Sequence, residues 1–583
     1  MPKEAAPPDS VPPDTVLAEL AVTDSVRAEP VLQEVREPAR YPAELELPEM
    51  AGGVVEWDRR RLLESNSITL LGVLSEMVPG LTPVRAGFYG GPHHATLGAA
   101  GAPFLSLRVD GRDVLPLEGR QVDLARYPLG ALERVRVVRG AAGISVELTT
   151  LRRSQSRAYS RIDAATGSPG LGIVRGSFAN GLGSNFAVVA SFDVVNTQAF
   201  LQEDDRFDFR GRIGWNPGDR SLGLAAEVHS QSNTPALLGG AERNLREFVL
   251  GVRKNVGPNV QAQAYWSDRR LSETVAGSDS VLSGVQRVGT ELALVSGLAY
   301  GHLRLLLSGD SPFPSSQLSG RLGLRPLTGL TLDVAAKSDV WDGFSTTQVQ
   351  GALSLHSVLP LSAGMGIQVA TGTRAVPYAA AGVADTADFD ALAGYVEGRL
   401  GPWHLQERVE YLNLSRQLPF GTVLDSVSVA APALEIVTFE TAVEGPILPI
   451  GWLIGGLPPI RVRGAYRFSS LRSGGPAVYV PRNRIAGEAF FQNEFFEGNL
   501  ELRLGLGLNQ RDAVFTFATA VDPTSFVQTG AATDVSFNLM VRLLEARIWW
   551  RAGNLRQAAI EDVPGIPYPT TQQAFGIKWE FTN

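Results

Sequence analysis

From about residue 154 to the end of the chain, apolar and polar side chains alternate, and this period of two constrains the fold more than any other feature. In the clearest example, Leu500–Asn509, leucines alternate with glutamate, arginine, glycine and asparagine. The alternation recurs over 207–215 and 222–229, on either side of a tight Asn216–Arg220 turn, and again over 260–266. A period of two indicates β-strands that have one apolar and one polar face.

Two classes of protein use strands of this kind. In a soluble sandwich the apolar faces point inward, and such a fold rarely needs several hundred residues. In a transmembrane barrel the apolar face meets lipid and the charged face lines a wet lumen. Because one face carries charged residues and glycines throughout, we predict a mainly β fold with a large antiparallel transmembrane β-barrel over residues 154–583.

The spacing of turns predicts the number of strands. Short turns are expected near Gly181–Ser184, Lys254–Asn259 and Leu543–Leu544, among others, with longer polar loops such as Gln231–Arg243 and Asp268–Ser283 between them. About ten short turns alternate with about eleven longer loops, which predicts about 22 strands.

Residues 51–153 have a different pattern, which predicts a small α/β domain. Apolar residues from Leu70 to Val78 recur at helical spacing, and Pro79-Gly80 ends that helix. A strand over Phe104–Val109 turns at Asp110-Gly111. The remaining predicted elements are a helical turn over Ala131–Arg134 and strands over Val135–Val138 and Ile144–Leu148.

Three motifs of this domain make it resemble the plug of TonB-dependent outer-membrane receptors. The family pattern is Val-Pro-Gly-Val after a leucine-rich helix, then a Val-Asp-Gly turn, then Ile-Glu-Arg-Ile-Glu-Val-Arg-Gly. The matching residues are Val78, Pro79, Gly80, Asp110, Gly111, Glu133, Arg134, Arg139 and Gly140. The alternating aromatic stretch Phe575–Phe581 also resembles the family's last strand. The resemblance implies a plug inside the lumen of a 22-stranded barrel.

The chain departs from the family pattern after Arg139-Gly140. Family plugs continue with a longer glycine-containing run, whereas here Ala141–Leu148 follows directly. Because the loop is shortened, a second interpretation stays open, in which the chain is a receptor that no longer transports.

Residues 1–50 are rich in proline and charge, and we expect a flexible periplasmic segment there. The stretch Asp14–Thr23 resembles a TonB box, the family's coupling segment, although an ordinary linker fits it as well. If the stretch is a TonB box, the energy-coupling protein would bind Asp14, Thr15, Val16 and Leu17. Because no signal peptide is present, the sequence is expected to be a mature form or to start too late.

The predicted ligand site is the outer loop of the plug, Gly87–Ala102, with Phe88, Tyr89, His93 and His94. Neighbouring histidines of an extended chain point to opposite sides, so we expect no metal there and no cofactor. The sequence has no Gly-x-Ser-x-Gly, His-Glu-x-x-His or P-loop motif, and no catalytic residues are predicted.

Composition narrows the partners further. The chain has no cysteine, which excludes disulfides and thiolate metal sites, and its net charge of -8 does not favour nucleic acid. No apolar run approaches the ~20 residues of a spanning helix. The resemblance implies a monomer in the outer membrane, in contact with lipid and lipopolysaccharide, that imports a scarce ligand with energy from TonB. Siderophore, cobalamin, glycan and peptide all remain open as ligands, and the alternative is a barrel of this fold that is not energised.

Arg139 is the residue most expected to hold the plug in place. It ends a plug strand beside a glycine that allows close approach to the wall, and a guanidinium can bind a carboxylate through paired hydrogen bonds. The wall carboxylates predicted to face inward are Asp208, Glu227, Glu247, Asp333, Glu501 and Glu545.

Overall fold

A computed structural model of the chain describes residues 45, 47, 53–78, 80–85, 93–97, 105–117, 122–141, 143–152, 157–168, 170–183, 185–199, 202–217, 221–234, 241–275, 278–309, 313–356, 363–378, 383–417, 432–448, 457–517, 526–570 and 572–582. Residues 14–17, Pro79, Phe88 and Tyr89 lie outside these ranges, so the predictions made for them stay predictions.

Twenty-two antiparallel strands form a closed barrel. They are β8 (Tyr159–Ser168), β9 (Leu171–Leu182), β10 (Phe186–Ala199), β11 (Gln202–Trp215), β12 (Leu222–Thr234), β13 (Glu242–Asn255), β14 (Val260–Val275), β15 (Ser278–Val295), β16 (Ala299–Ser308), β17 (Ser316–Leu327), β18 (Leu330–Trp341), β19 (Phe344–His356), β20 (Gly364–Tyr378), β21 (Val383–Leu400), β22 (Trp403–Leu414), β23 (Leu434–Leu448), β24 (Ile460–Gly474), β25 (Asn483–Phe495), β26 (Leu500–Arg511), β29 (Ala532–Leu543), β30 (Ala546–Gly553) and β33 (Gln572–Thr582). The last strand, β33, pairs with the first, β8, and closes the barrel. We call the end with Tyr159 and Thr582 the lower end and the opposite end the upper end.

Two short hairpins interrupt the strand order at the upper end. They are β27 (Val514–Phe517) with β28 (Phe526–Thr529), and β31 (Ile560–Val563) with β32 (Ile566–Tyr568).

The two faces of the barrel differ as the alternation predicts. On β26, 56% of Leu506 is exposed on the outside of the wall, whereas Arg503 binds Glu488 inside. A closed barrel pairs every strand edge, so no backbone edge is left to lipid. The predicted fold, about 22 antiparallel strands around a small α/β domain, is confirmed.

The strands are longer than expected at the upper end. The predicted loop Asp268–Ser283 is mostly strand, because β14 and β15 pair as far as Val275 and Ser278. The predicted loop Gln231–Arg243 is likewise shortened by β12 and β13. Both predictions were wrong because these segments are rich in polar residues, and polarity does not prevent backbone pairing.

The plug contains a five-stranded sheet in the order β1-β6-β7-β4-β5, in which β4 and β7 are parallel. Its elements are β1 (Val54–Asp58), α1 (Arg59–Glu64), α2 (Leu70–Met77), β4 (Leu105–Val109), β5 (Arg112–Asp113), β6 (Leu132–Arg139) and β7 (Ile144–Thr150), and a separate hairpin consists of β2 (Leu81–Arg85) and β3 (His93–Leu97). In the described part of the chain, no helix is both long and apolar enough to cross a membrane.

Local sequence explains most of the plug. The Thr69 side chain accepts a hydrogen bond from the backbone of Gly72 and caps α2, whose apolar face is buried in the plug core. Asp110 and Gly111 have φ of 50° and 81°, so the chain turns there as predicted. The helical turn expected over Ala131–Arg134 is instead a 3-10 turn at Leu129–Ala131, because Leu132 already pairs with β7.

Candidate functional site

Arg139 joins the plug to two carboxylates of the barrel wall. Its Nη1 donates to Glu440 Oε1 at 2.5 Å, and its Nη2 donates to Glu440 Oε2 and to Glu410 Oε1, both at 3.3 Å. Glu440 lies on β23 and Glu410 on β22. Neither carboxylate is among those predicted to face inward.

Each wall carboxylate also has an arginine of the wall as a second partner. Arg467 Nη2 lies 3.0 Å from Glu440 Oε2, and Arg408 Nε lies 2.5 Å from Glu410 Oε1. All three arginines of this cluster are at most 6% exposed in their side chains. The cluster of Arg139, Glu410, Glu440, Arg408 and Arg467 is therefore a buried network, in which each charge is close to an opposite charge.

Gly80, which belongs to the first plug motif, lies against Glu440, the same carboxylate that Arg139 binds. A Cβ placed on Gly80 would lie 2.2 Å from Glu440 Oε2 and 2.7 Å from Arg467 Nη2. The glycine therefore allows the plug backbone to approach the wall at this point. Two plug motifs that are distant in the sequence converge on Glu440.

The wall also holds the backbone of the loop that follows Arg139. Arg408 Nη2 donates to the carbonyl of Gly140 at 3.0 Å, and Gln368 Nε2 donates to the carbonyl of Arg139 at 3.3 Å. The loop itself is tight, since the Gly140 amide donates to the Gly143 carbonyl at 2.8 Å. The shortened loop thus lies directly against the wall.

Above this network the wall is apolar. Ala141 of the plug packs with an inward-facing apolar cluster that includes Phe389, Leu412, Leu434 and Ile436. The alternation predicts a polar lumen, but this part of the inner wall is apolar. The patch keeps water from one side of the ion pairs.

Asp110, Glu133 and Arg134 stabilise the plug itself. The Asp110 carboxylate accepts from the Thr150 amide at 3.1 Å and from Arg152 Nη2 at 2.8 Å. Burial alone would raise the pKa of Asp110, but the guanidinium groups of Arg152 and Arg212 outweigh it and hold that pKa well below its usual range.

Glu133 and Arg134 make contacts within the plug as well. Glu133 Oε2 accepts from the amide of Arg152 at 3.0 Å, and Arg134 Nη1 lies 3.7 Å from Glu56 Oε1. Because these contacts tie β1, β6 and the end of β7 together, they fix the segment that leads into the barrel.

Other contacts join the plug to the wall away from Arg139. Arg112 Nη2 donates to Glu227 Oε2 at 2.6 Å, so Glu227 faces inward as predicted. At the lower end, Lys578 Nζ donates to the carbonyls of Leu63 and Ser65 at the end of α1. Glu545, in contrast, lies in an exposed turn, so the prediction that it faces the lumen was wrong.

The upper end of the plug is covered by barrel loops. Arg85 Nε on β2 donates to Asp562 Oδ2 on β31 at 2.6 Å, and its guanidinium lies 4.0 Å from the ring centre of Tyr568. Thr96 on β3 donates to the carbonyl of Tyr479 at 3.2 Å. Val84, Val478 and Val563 form a small apolar cluster here. These contacts, from side chains distant in sequence, were not predictable from local patterns.

The two histidines of the predicted ligand site lie in this covered region. His93 and His94 are on β3 and are 1% and 3% exposed. The His93 amide donates to Asp123 Oδ1 at 2.8 Å, and His94 Nδ1 lies 3.2 Å from the Val122 carbonyl. Burial lowers the pKa of His94 to about 4. Among the described residues, no three His, Cys, Asp or Glu side chains are arranged to bind a metal.

No protein-family model matches the chain, and no curated protein matches it in sequence. Several solved structures match its fold. The siderophore receptor PirA from Acinetobacter baumannii is 9% identical, with a TM-score of 0.70 over 92% of this chain and 100% of that chain. The FrpB iron transporter from Neisseria meningitidis is 10% identical, with a TM-score of 0.68 over 92% and 100% of the two chains.

A ferric enterobactin receptor (PfeA) mutant from Pseudomonas aeruginosa is also similar. It is 11% identical, with a TM-score of 0.69 over 91% of this chain and 98% of that chain. At such identities the similarity shows a common fold, a 22-stranded barrel with a plug inside.

Proposed function

We propose that this chain, which has the fold of iron and siderophore receptors, is an outer-membrane receptor that imports a scarce ligand with energy from a TonB-type protein. The lower end would then face the periplasm and the upper end the cell surface. Of the ligand classes that the sequence leaves open, the fold relatives favour a ferric chelate.

The observation that best supports this proposal is the way in which the plug is held. The network around Arg139 consists of ion pairs and hydrogen bonds between two surfaces rather than a continuous apolar core. Polar contacts of this kind can exchange for water when the plug moves, whereas a detached apolar core would expose its surface to water. A plug held mainly by such polar contacts could leave the wall without exposing a large apolar surface.

One observation also fits the alternative, a barrel that is not energised. The tight loop at Gly140–Gly143 is bound to Arg408 and Gln368 of the wall, and Arg85 and Asp562 hold the upper hairpin. A plug fixed at both places would suit a structural barrel as well as a closed resting state.

Uptake by intact cells distinguishes the two functions. Cells with the full chain in their outer membrane would be tested for uptake of a panel of ferric siderophores and of cobalamin. The controls are collapse of the proton-motive force and a variant that lacks residues 1–30, where the predicted coupling segment lies. Energised uptake that needs residues 1–30 is the expected result. Failure of every ligand to accumulate above cells without the protein would contradict import.

Location in the outer membrane is tested separately. The protein should be extracted only by detergent and should change its gel mobility on heating, because a closed barrel satisfies all backbone groups in lipid. Recovery from the soluble fraction would contradict the proposal at its first step.

A further inference from the structure

Three arginines lie side by side on the inner wall, directly across neighbouring strands. Arg467 on β24 is paired in register with Arg484 on β25, and Arg484 is paired in register with Arg511 on β26. They are 1%, 2% and 5% exposed. Like charges directly opposite each other on a sheet are destabilising, so this row needs negative charge around it.

The two outer arginines have such partners. Arg467 binds Glu440, and Arg511 Nη2 lies 3.3 Å from Asp562 Oδ1 while its Nη1 donates to the Gly530 carbonyl at 3.0 Å. Within the described ranges, Arg484 between them makes no hydrogen bond or ion pair, and its Nε is buried without a partner. A buried charge without an ion pair is costly, and Asp562, which attracts Arg484 from beyond ion-pair distance, is already shared by Arg85 and Arg511.

Arg484 lines a cavity of about 150 Å³ between the plug and the wall. The plug side is formed by α2 and the upper hairpin, and the wall side by β24, β25, β26, β29 and β30. Four arginines and three carboxylates line the cavity, which leaves one positive charge. The arginines are Arg85, Arg463, Arg484 and Arg551, and the carboxylates are Glu76, Glu488 and Asp534.

The three carboxylates of the cavity already have other partners, and two of them pair with the other arginines of the lining: Glu76 lies 3.8 Å from Arg551 and Glu488 3.6 Å from Arg463. Glu76 accepts from the hydroxyls of Ser65 and Ser67 at 2.7 and 2.5 Å. Glu488 accepts from Arg503 at 2.9 Å, and Asp534 accepts from the Asn554 amide at 2.7 Å. None of them neutralises Arg484.

We propose that Arg484 is the charged centre of an oxyanion site in this cavity, which binds a carboxylate or phosphate group. A guanidinium suits both groups because its planar fork can donate two parallel hydrogen bonds. Asn509 and Ser536 also line the cavity and supply neutral donors. A cavity of about 150 Å³ has room for one such group and a few waters, but not for a whole metal chelate.

If the chain imports its ligand as proposed above, the site would bind an anionic group of that ligand between the plug and the wall. This assignment of the ligand's charge rests on the proposed function, whereas the oxyanion site itself does not. The group could equally come from a free small anion.

The test is calorimetric titration of the full chain in detergent with inorganic phosphate and, separately, with citrate. We expect binding of at least one probe, weakened at least ~10-fold in Arg484→Gln, because a charge-assisted hydrogen bond contributes at least about one factor of ten. The matched control is Arg482→Gln, two residues away and exposed, which should bind as the wild type does. Binding of phosphate alone would identify the bound group as a phosphate, and binding of citrate alone would identify it as a carboxylate.

Folding of the variant is checked by heat-modified gel mobility and by thermal unfolding. Arg484→Gln removes an uncompensated charge, so without added anion it should unfold at the same temperature as the wild type or higher. Wild-type protein that binds neither probe, or a variant that binds as tightly as wild type, would overturn the site. Anion binding without energised uptake would keep the site and reject import, and uptake without anion binding would do the reverse.

Discussion

Replacing Arg139 by alanine removes the contact in which two plug motifs meet the wall. The variant loses both hydrogen bonds to Glu440 and the one to Glu410. The barrel strands keep their own pairing, and Arg112 still binds Glu227. We therefore expect a folded barrel whose plug is held less firmly.

The size of the effect follows from what remains after the change. Removing one partner of a buried ion pair costs about 3–5 kcal/mol when the other is left without compensation. Here Glu440 keeps Arg467 and Glu410 keeps Arg408, so the low end applies. A loss of about 3 kcal/mol in the docking of the plug raises the undocked fraction roughly 100-fold.

The undocked fraction is measured as a leak. Conductance of the purified protein in planar bilayers, and sensitivity of cells to an antibiotic too large for porins, should both rise in Arg139→Ala. Arg139→Lys keeps the charge but not the planar fork, so it should restore tightness only in part. The matched control is Arg134→Ala on the same strand, whose partner Glu56 is 41% exposed, and a change of ~0–1 kcal/mol is expected there.

An Arg139→Ala protein that assembles normally and conducts no more than wild type would show that the contacts of Arg139 do not hold the plug in place. A rise in leak of the same size in Arg134→Ala would show that the effect does not belong to the network around Glu440.

Three further predictions concern other parts of the molecule. Leu506→Arg, on the outer face of β26, should destabilise the barrel by about 2–4 kcal/mol, and Arg503→Gln, on its inner face, by less, as measured by unfolding in lipid. Equal losses would show that the faces are wrongly assigned. In the folded plug the pKa of His94 is about 4, below the ordinary 6.5. The contribution of His94 to the free energy of unfolding is therefore fully present above pH 6.5 and is lost as the pH falls to about 4. His94→Asn should remove about 3 kcal/mol of this pH-dependent change in the free energy of unfolding, as measured by unfolding temperature against pH. An unchanged pH dependence would assign the change to other titrating groups. Asp562→Asn leaves Arg85 without its charged partner and should speed hydrogen exchange in β2 and β31, whereas unchanged exchange would show that this contact does not hold the upper hairpin.

Local pattern determined the barrel and the elements of the small domain, whereas the position of that domain inside the lumen was implied only by the family resemblance. The alternation at Leu500–Asn509 is a property of neighbouring residues, and a face of leucines beside a face of charges has few stable solutions other than a membrane barrel. The α2 helix and the Asp110-Gly111 turn are equally local, since spacing, a threonine cap and a turn dipeptide define them. These features need no knowledge of distant contacts.

Only the tertiary structure decided which charges meet. The sequence predicts that Arg139 finds a wall carboxylate, but choosing Glu440 and Glu410 requires the rotation of the plug in the barrel and the register of strands far away in the chain. The polar strand ends of β14 and β15 were missed because backbone pairing does not depend on side-chain polarity.

The row of three arginines is another feature that only the tertiary structure decided. Arg467, Arg484 and Arg511 are separated by many residues, and each alone is an ordinary inward-facing charge. Pairing of β24, β25 and β26 brings them side by side, and Glu440 and Asp562 form ion pairs with the two outer ones but not with Arg484. Long-range register and burial, which no local pattern encodes, decide where an uncompensated charge remains.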